Sequence, residues 1–291
     1  MHDKRIPMPD EITLRPERPL LAAVTNLGAW TTESIQAVGD FGVFMFSVLH
    51  WIIRGPGRRS ARDTFAQMYE MGTRSIPVVM ITGGFIGAVL AIETYPQFHQ
   101  IGIANRLGGV IVVSVVKQLG PILTAVMLAG RVGGAMTAEL GTMKVTEQID
   151  ALRTMAADPV RTLVVPRILA CVLMTPVLTT YSDAVGILGG WAVAVGVEGV
   201  RNYPFWHYAQ VGTDLYAINV GLIKSIAFGI VIGAIACYKG FRCGAGAQGV
   251  GRACTESFVT SFCIILVVNF ILAVAFNNIF VILWPNRPGL L

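Results

Sequence analysis

Long apolar runs separated by short polar connections dominate the chain from residue 63 onward. Five of them, at about 76–96, 107–130, 168–197, 218–238 and 258–284, reach the roughly 20 residues needed to cross about 30 Å of hydrocarbon. The pattern predicts an all-α integral membrane domain of five transmembrane helices over residues 63–284. The earlier stretch from Leu20 to Ile53 is weaker, because Glu33 and Asp40 interrupt it and its apolar end, FGVFMFSVLHWII, is too short to span. It runs into RGPGRRSAR, where Arg54, Arg58, Arg59 and Arg62 suit lipid headgroups. Residues 20–62 therefore read as an interfacial or re-entrant helix region, with an additional spanning helix as the alternative. Residues 1–19 are polar, Pro-rich and mixed in charge, which predicts a flexible terminus. They lack a basic n-region followed by an apolar h-region, so no cleaved signal peptide is expected. Residues 285–291 form a short tail.

The connections carry an orientation signal. Arg54, Arg58, Arg59, Arg62, Arg74, Arg131, Lys144, Arg153, Arg161, Arg167, Lys239, Arg242 and Arg252 fall on one side, against Arg106, Arg201 and Arg287 on the other. Thirteen against three puts the N-terminus and the 131–167 segment in the cytoplasm and the C-terminus outside, in the periplasm. On the outer side, Tyr203, Phe205, Trp206 and Tyr208 cluster in one connection, as expected of an interfacial helix.

Between the second and third spans lies TEQIDALRTMAADP. Val145, Ile149, Leu152 and Met155 or Ala156 follow helical spacing, with Glu147, Asp150 and Arg153 on other faces. Thr146 is placed to cap the start and Pro159 to end the helix. Such an element suits a groove on a soluble partner or docking beneath its own bundle; periodicity leaves both open. Glycines four residues apart recur in the spans, as Gly83/Gly87, Gly130/Gly134, Gly186/Gly190 and Gly229/Gly233. That spacing lets membrane helices approach closely, within one bundle for most pairs, or at a dimer or sliding contact.

Composition agrees with the pattern. Apolar residues make up 54% and charged residues 13% of the 291, too little charge to cover a soluble surface of this size. The net charge of +5 sits beside the spans and reads as topology, not as a nucleic-acid footprint. The five cysteines, Cys171, Cys237, Cys243, Cys254 and Cys263, have no CxxC or Cys/His spacing for zinc, and read as free thiols acting as small apolar side chains.

Polar groups inside the spans are the candidate chemistry. A Lys or Asp at a helix centre costs about 2.5–3.5 kcal/mol on insertion scales. Lys117 and Gln118 fall near the middle of the second span, Asp183 near the middle of the third, Lys224 in the outer part of the fourth, Asn269 in the fifth and Glu93 at the outer end of the first. Glu93 and Lys224 read as snorkelling or locally paired; Lys117 and Asp183 should face a cavity or one another. Gly120-Pro121 follows directly, and the proline predicts a kink there, a hinge candidate. Catalytic patterns are missing: there is no GxSxG, HExxH or P-loop, and no histidine with a ligand-spaced partner. No metal or cofactor is expected, and any ATP must be hydrolysed by another subunit. The residues leave room for an ion-coupled secondary transporter of a hydrophobic or anionic substrate, using Lys117, Asp183 and Lys224 as a relay. A membrane-embedded lipid enzyme would lack a nucleophile and base.

ELGTMKVTEQIDALRTMAADPVRTLVVPR, preceded by LGPILTAVMLAGRVGGAMTA, closely resembles the signature of the MlaE/YrbE permease family. TGGFIGAVLA, VGILGGWAV and LIKSIAFG extend the likeness from about Phe65 to Phe276. These permeases are non-catalytic membrane subunits of ABC transporters that move lipids together with MCE-domain proteins. The resemblance implies an N-terminal interfacial helix, five spans, a homodimer in the inner (plasma) membrane, an ABC ATPase subunit and an MCE-domain substrate-binding partner. The substrate would be membrane lipid, phospholipid by expectation, in the service of outer-membrane lipid homeostasis. The segment with Thr146, Glu147, Ile149, Asp150, Leu152 and Arg153 would be the coupling helix seated in the ATPase. Leu90, Tyr95, Lys117, Gln118, Leu119 and Lys224 would border a lipid cavity between two protomers. Gln118 and Asn269 stand where well-studied members carry Glu and Asp; Asp183 would supply compensating charge.

Overall fold

This computed structural model describes residues 19–54 and 58–283, so the expected flexible terminus short of Pro19 and the 285–291 tail lie outside the described residues. The chain divides into two compact units, Met1–Phe46 and Ser47–Leu291. In the first, the described residues belong to helix α1 (Pro19–Ile53), whose Ile35, Val38, Val43 and Phe46 are exposed. The apolar part of α1, Val38–Ile53, is shorter than a span.

The second unit holds α2 (Arg58–Gln100), α3 (Ala104–Val145), α4 (Gln148–Thr154), α5 (Val160–Gly196), α6 (Asn202–Gly212), α7 (Leu215–Phe241) and α8 (Gly246–Leu283). Among the described residues five helices, α2, α3, α5, α7 and α8, are long and apolar enough to cross a membrane, as the run lengths predict. They overshoot the predicted spans because the polar residues flanking each run stay helical. RRSARDTFAQMYEMGTR contains no proline and its single glycine is no barrier, so α2 begins eighteen residues before the apolar run at 76.

Helices α2 and α5 pack along their glycines. Gly83 lies against the backbone and hydroxyl of Ser182, and Gly87 against the carbonyl of Gly186; a methyl group at position 87 would collide with that carbonyl. Helix α7 joins the other side of α5, with Gly229 against Cys171 and Val172, and Gly233 against Ile168. Three of the four spaced pairs therefore serve packing within one chain, where van der Waals contact replaces the hydrophobic effect as the cause of association. The short α6 closes the outer end: Phe205 is fully buried in a cluster with Ala91, Leu107, Ile111, Val115, Ala194 and Val200, while Tyr203 and Trp206 stay exposed. Cys171, Cys237 and Cys243 are buried free thiols.

Helix α8 differs from the others. It ties to α7 through Lys239–Glu256 (2.9 Å) and to α3 through Ser257, whose hydroxyl accepts from Thr137 (3.0 Å). Yet Val259, Leu266, Val267, Phe270 and Ile271 on it are exposed.

Candidate functional site

Helix α3 carries the site because it cannot remain a regular α-helix. Pro121 has no N–H, so the carbonyl of Lys117 loses its i+4 donor, and the proline ring crowds that same carbonyl. The helix widens instead into a π turn over Val115–Leu119, where the N–H of Gly120 bonds back to Val115 O. π turns inside α-helices recur at functional sites. The predicted kink is thus a widened turn immediately before Gly120-Pro121, and both of those residues are buried.

Lys224 on α7 fills what the turn leaves open. Its ammonium donates to the freed Lys117 carbonyl (3.3 Å) and to Gln118 Oε1. The side chain is 1% exposed, so it is a locally paired lysine and does not snorkel. Gly221, one turn earlier, makes the reach short: it rests on the carbonyl of Val116, where a Cβ would clash. On the opposite flank, Asp183 of α5 occupies the space a side chain on Gly120 would need. One of its carboxyl oxygens is buried with no hydrogen-bond partner among the described residues, and so is Asn269 Oδ1 on α8. Lys117 points to α8, with its ammonium 5.9 Å from the centre of the Phe280 ring. Among the described residues Lys117, Asp183 and Lys224 form no ion pair with one another, so the direct Lys117–Asp183 contact allowed by the sequence is absent.

The remaining expected cavity residues separate by depth. Lys117, Gln118 and Leu119 are half-buried neighbours on the π turn, and Lys224 lies behind Gln118. Leu90 and Tyr95 sit apart from them, packed on the outer cluster around Phe205. Glu93 is exposed, and its backbone carbonyl receives the Gln97 side chain at 3.4 Å.

A second π turn, Ala129–Gly133, interrupts α3 about three turns before its end at Val145, with Arg131 exposed. The short helix α4 follows. Its boundaries correct two expectations. Thr146 does not cap it: its hydroxyl bonds back to Thr142 O (2.8 Å), finishing α3, and Glu147 takes the N-cap position in a left-handed conformation (φ 61°). Pro159 does not end it either. Ala156 is left-handed (φ 58°), Ala156 N–H bonds to Arg153 O (3.0 Å) and Ala157 N–H to Leu152 O (3.1 Å). That paired closure stops a helix without proline, leaving Pro159 to open α5 while Asp158 receives the Val160 N–H (2.8 Å). The expected apolar stripe is split: Ile149 is buried under its own bundle, Leu152 is half-buried, and Met155 is 77% exposed. Glu147, Asp150 and Arg153 are exposed, the last two bridged at 3.0 Å.

Sequence reading missed the anchors of this element. Arg167, counted only as a basic loop residue, is 5% exposed and bridges Glu139 of α3 at 3.0 Å while donating to Leu163 O at 3.0 Å. Lys144 donates to Cys243 O at 3.0 Å, fixing the end of α3 to the end of α7. Glu139 follows the second apolar run and Arg167 opens the third, so opposite charges beside consecutive spans were the available signal.

Comparison with known proteins is consistent along nearly the whole chain. The family described as Permease MlaE matches residues 64–275, a stretch containing α4 and the two π turns of α3. A probable ABC transporter permease protein of Synechocystis is 42% identical over 248 residues, 85% of this chain and 92% of its own length. One from Rickettsia typhi is 37% identical over 254 residues, covering 87% and 97%. The intermembrane phospholipid transport system permease protein MlaE of Haemophilus influenzae is 34% identical over 254 residues, covering 86% and 95%.

Proposed function

The chain belongs to the MlaE permease family, and from that premise we propose that it moves phospholipids between the inner membrane and an MCE-domain partner outside it. It is a multi-pass ABC transporter permease for lipid, a non-catalytic subunit whose ATP hydrolysis takes place on a separate subunit. In the proposed assembly two copies enclose the lipid, the N-terminus and α4 face the cytoplasm, and α1 lies in the membrane interface. One observation carries the reading: the family match covers both the short helix α4 and the polar, widened turn of the membrane helix that precedes it.

Mechanically, α4 presents Glu147, Asp150, Arg153 and Met155 outward and hangs directly from α3. Force from an ATPase enters there and meets the π turn at Ala129–Gly133 before the one at Val115–Leu119. Lys117, Gln118 and Leu119 change their aspect toward the lipid when that upper turn shifts. Lys224 and Asp183 hold the turn between strokes, one by hydrogen bonds and one by filling the face of Gly120.

The test is purification with native partners, followed by mass spectrometry of the subunits and bound lipid; an ATPase, an MCE protein and a phospholipid are expected together. Met155→Asp should leave membrane insertion intact and remove most stimulated ATP hydrolysis and lipid transfer. Gradient-driven transport by this chain alone in liposomes would overturn the reading in favour of a secondary transporter.

A further inference from the structure

A cluster of basic groups built on Trp51 has no part in the transport mechanism above. Trp51 lies on the last turn of α1, within the second compact unit. Its indole N–H donates to Asp158 Oδ2 at 2.9 Å, across 107 positions of sequence. The guanidinium of Arg161 stands 4.9 Å from the ring centre and that of Arg54 5.9 Å from it. His50 meets the same ring edge-on at 5.8 Å.

Two permanent cations are thus gathered on one indole, with a single carboxylate beside them. Asp158 is already committed: Oδ2 to Trp51 and Oδ1 to the Val160 N–H. Neither arginine has an ion pair among the described residues. Stacking on an aromatic face leaves the N–H edges of a guanidinium free to take an oxyanion, and both arginines are exposed. An unneutralised pair of this kind favours a ligand with at least one negative charge and several acceptor oxygens.

The surroundings select the form of that anion. Leu49 and Ile53, on the same turns of α1 as Trp51, are 52% and 76% exposed. Arg54 ends the apolar stretch Val38–Ile53, and Arg161 stands at the start of the α5 span. Exposed apolar side chains beside free guanidinium edges, at the ends of two apolar helices, match an amphiphile at headgroup depth. We propose that Arg54 and Arg161, held on Trp51, bind the phosphate of an anionic phospholipid in the leaflet that faces α4, with its acyl chains along Leu49 and Ile53. Asp158 and Arg161 follow α4 within a few residues, so the bound headgroup clamps the end of α1 to the segment that carries the docking helix. The site is distinct from the transported lipid's cavity and makes docking respond to the anionic lipid content of the membrane.

The test uses the full chain in detergent with Trp30, Trp191, Trp206 and Trp284 replaced by Phe, so that Trp51 alone reports. Short-chain phosphatidylglycerol should change its emission saturably, and phosphatidylcholine should act about tenfold more weakly. The R54Q/R161Q double variant should abolish the response. In parallel, native mass spectrometry of the chain with all its tryptophans should find one phosphatidylglycerol fewer on R54Q/R161Q, which keeps the proposal testable if the Phe variant does not fold. Equal responses to the two lipids, or an unchanged lipid count and response in R54Q/R161Q, would overturn it. A full response to inorganic phosphate alone would make this a free-anion site, and a response only to added ATPase subunit would make it a protein contact; either rejects the lipid.

Discussion

Gly83 and Gly87 on α2 lie on the backbone of α5, whereas Gly130 and Gly134 on α3, with the same spacing, have room around them. A Cβ at 87 would run into Gly186 O; at 130 it would touch only the Phe258 ring at 3.4 Å, and at 134 nothing within 4 Å. The first pair cements two spans at van der Waals distance. The second borders the π turn Ala129–Gly133, next to an exposed Arg131 and on the helix that leads to α4. Identical small-residue spacing thus produces a weld in one place and slack in another. The slack lies along α3 between α4 and the polar turn, where the proposed motion would need it.

The strongest way to break this contrast is Gly87→Val, which should force α2 off α5 and leave little folded protein recoverable from the membrane by size-exclusion chromatography. Wild-type yields would show that the α2–α5 contact is looser than described. Next comes Gly221→Ala, where an added methyl group meets Val116 O. Overpacking of this kind costs about 1–3 kcal/mol, and here it also draws Lys224 away from Gln118, so thermal unfolding in detergent should fall by several degrees and transport with it. Gly134→Ala is expected to have the smallest effect on the fold. With open space and a helical backbone, alanine gains up to about 1 kcal/mol of helix propensity, so the unfolding temperature should hold or rise slightly. A slower lipid transfer at unchanged stability would identify this turn as a moving part; unchanged transfer would assign it to architecture alone.

The resolution of Lys224 illustrates what could be read in advance. Its location inside a span was visible, and a local pair was one of two open readings. The partner was not, because Gln118 and the Lys117 carbonyl lie more than a hundred positions away and become available only through the π turn. The break at Gly120-Pro121 was legible from proline's missing N–H, but not that α7 would approach the widened turn Val115–Leu119 at Gly221 and supply Lys224 as donor to the freed Lys117 carbonyl. Helix α4 was legible as an element and shifted in its ends. Thr146 competed for two helices and closed the earlier one, and Ala156 adopted a left-handed turn that few non-glycine residues favour.

By itself the sequence determined five spans, the gathering of positive charge in alternate connections, the break in α3 and the existence of a short helix between the second and third spans. Each of these follows from local properties: apolar run length against hydrocarbon thickness, charge beside a span, a missing N–H, and 3.6-residue periodicity. Tertiary structure alone decided which glycine pairs touch, that Arg167 pairs inward with Glu139, that Met155 faces out while Ile149 faces in, and that Lys224 secures the polar turn. Those outcomes depend on where distant backbones come within a few ångströms, and short-range contact energies between segments far apart in sequence leave no periodic trace along the chain.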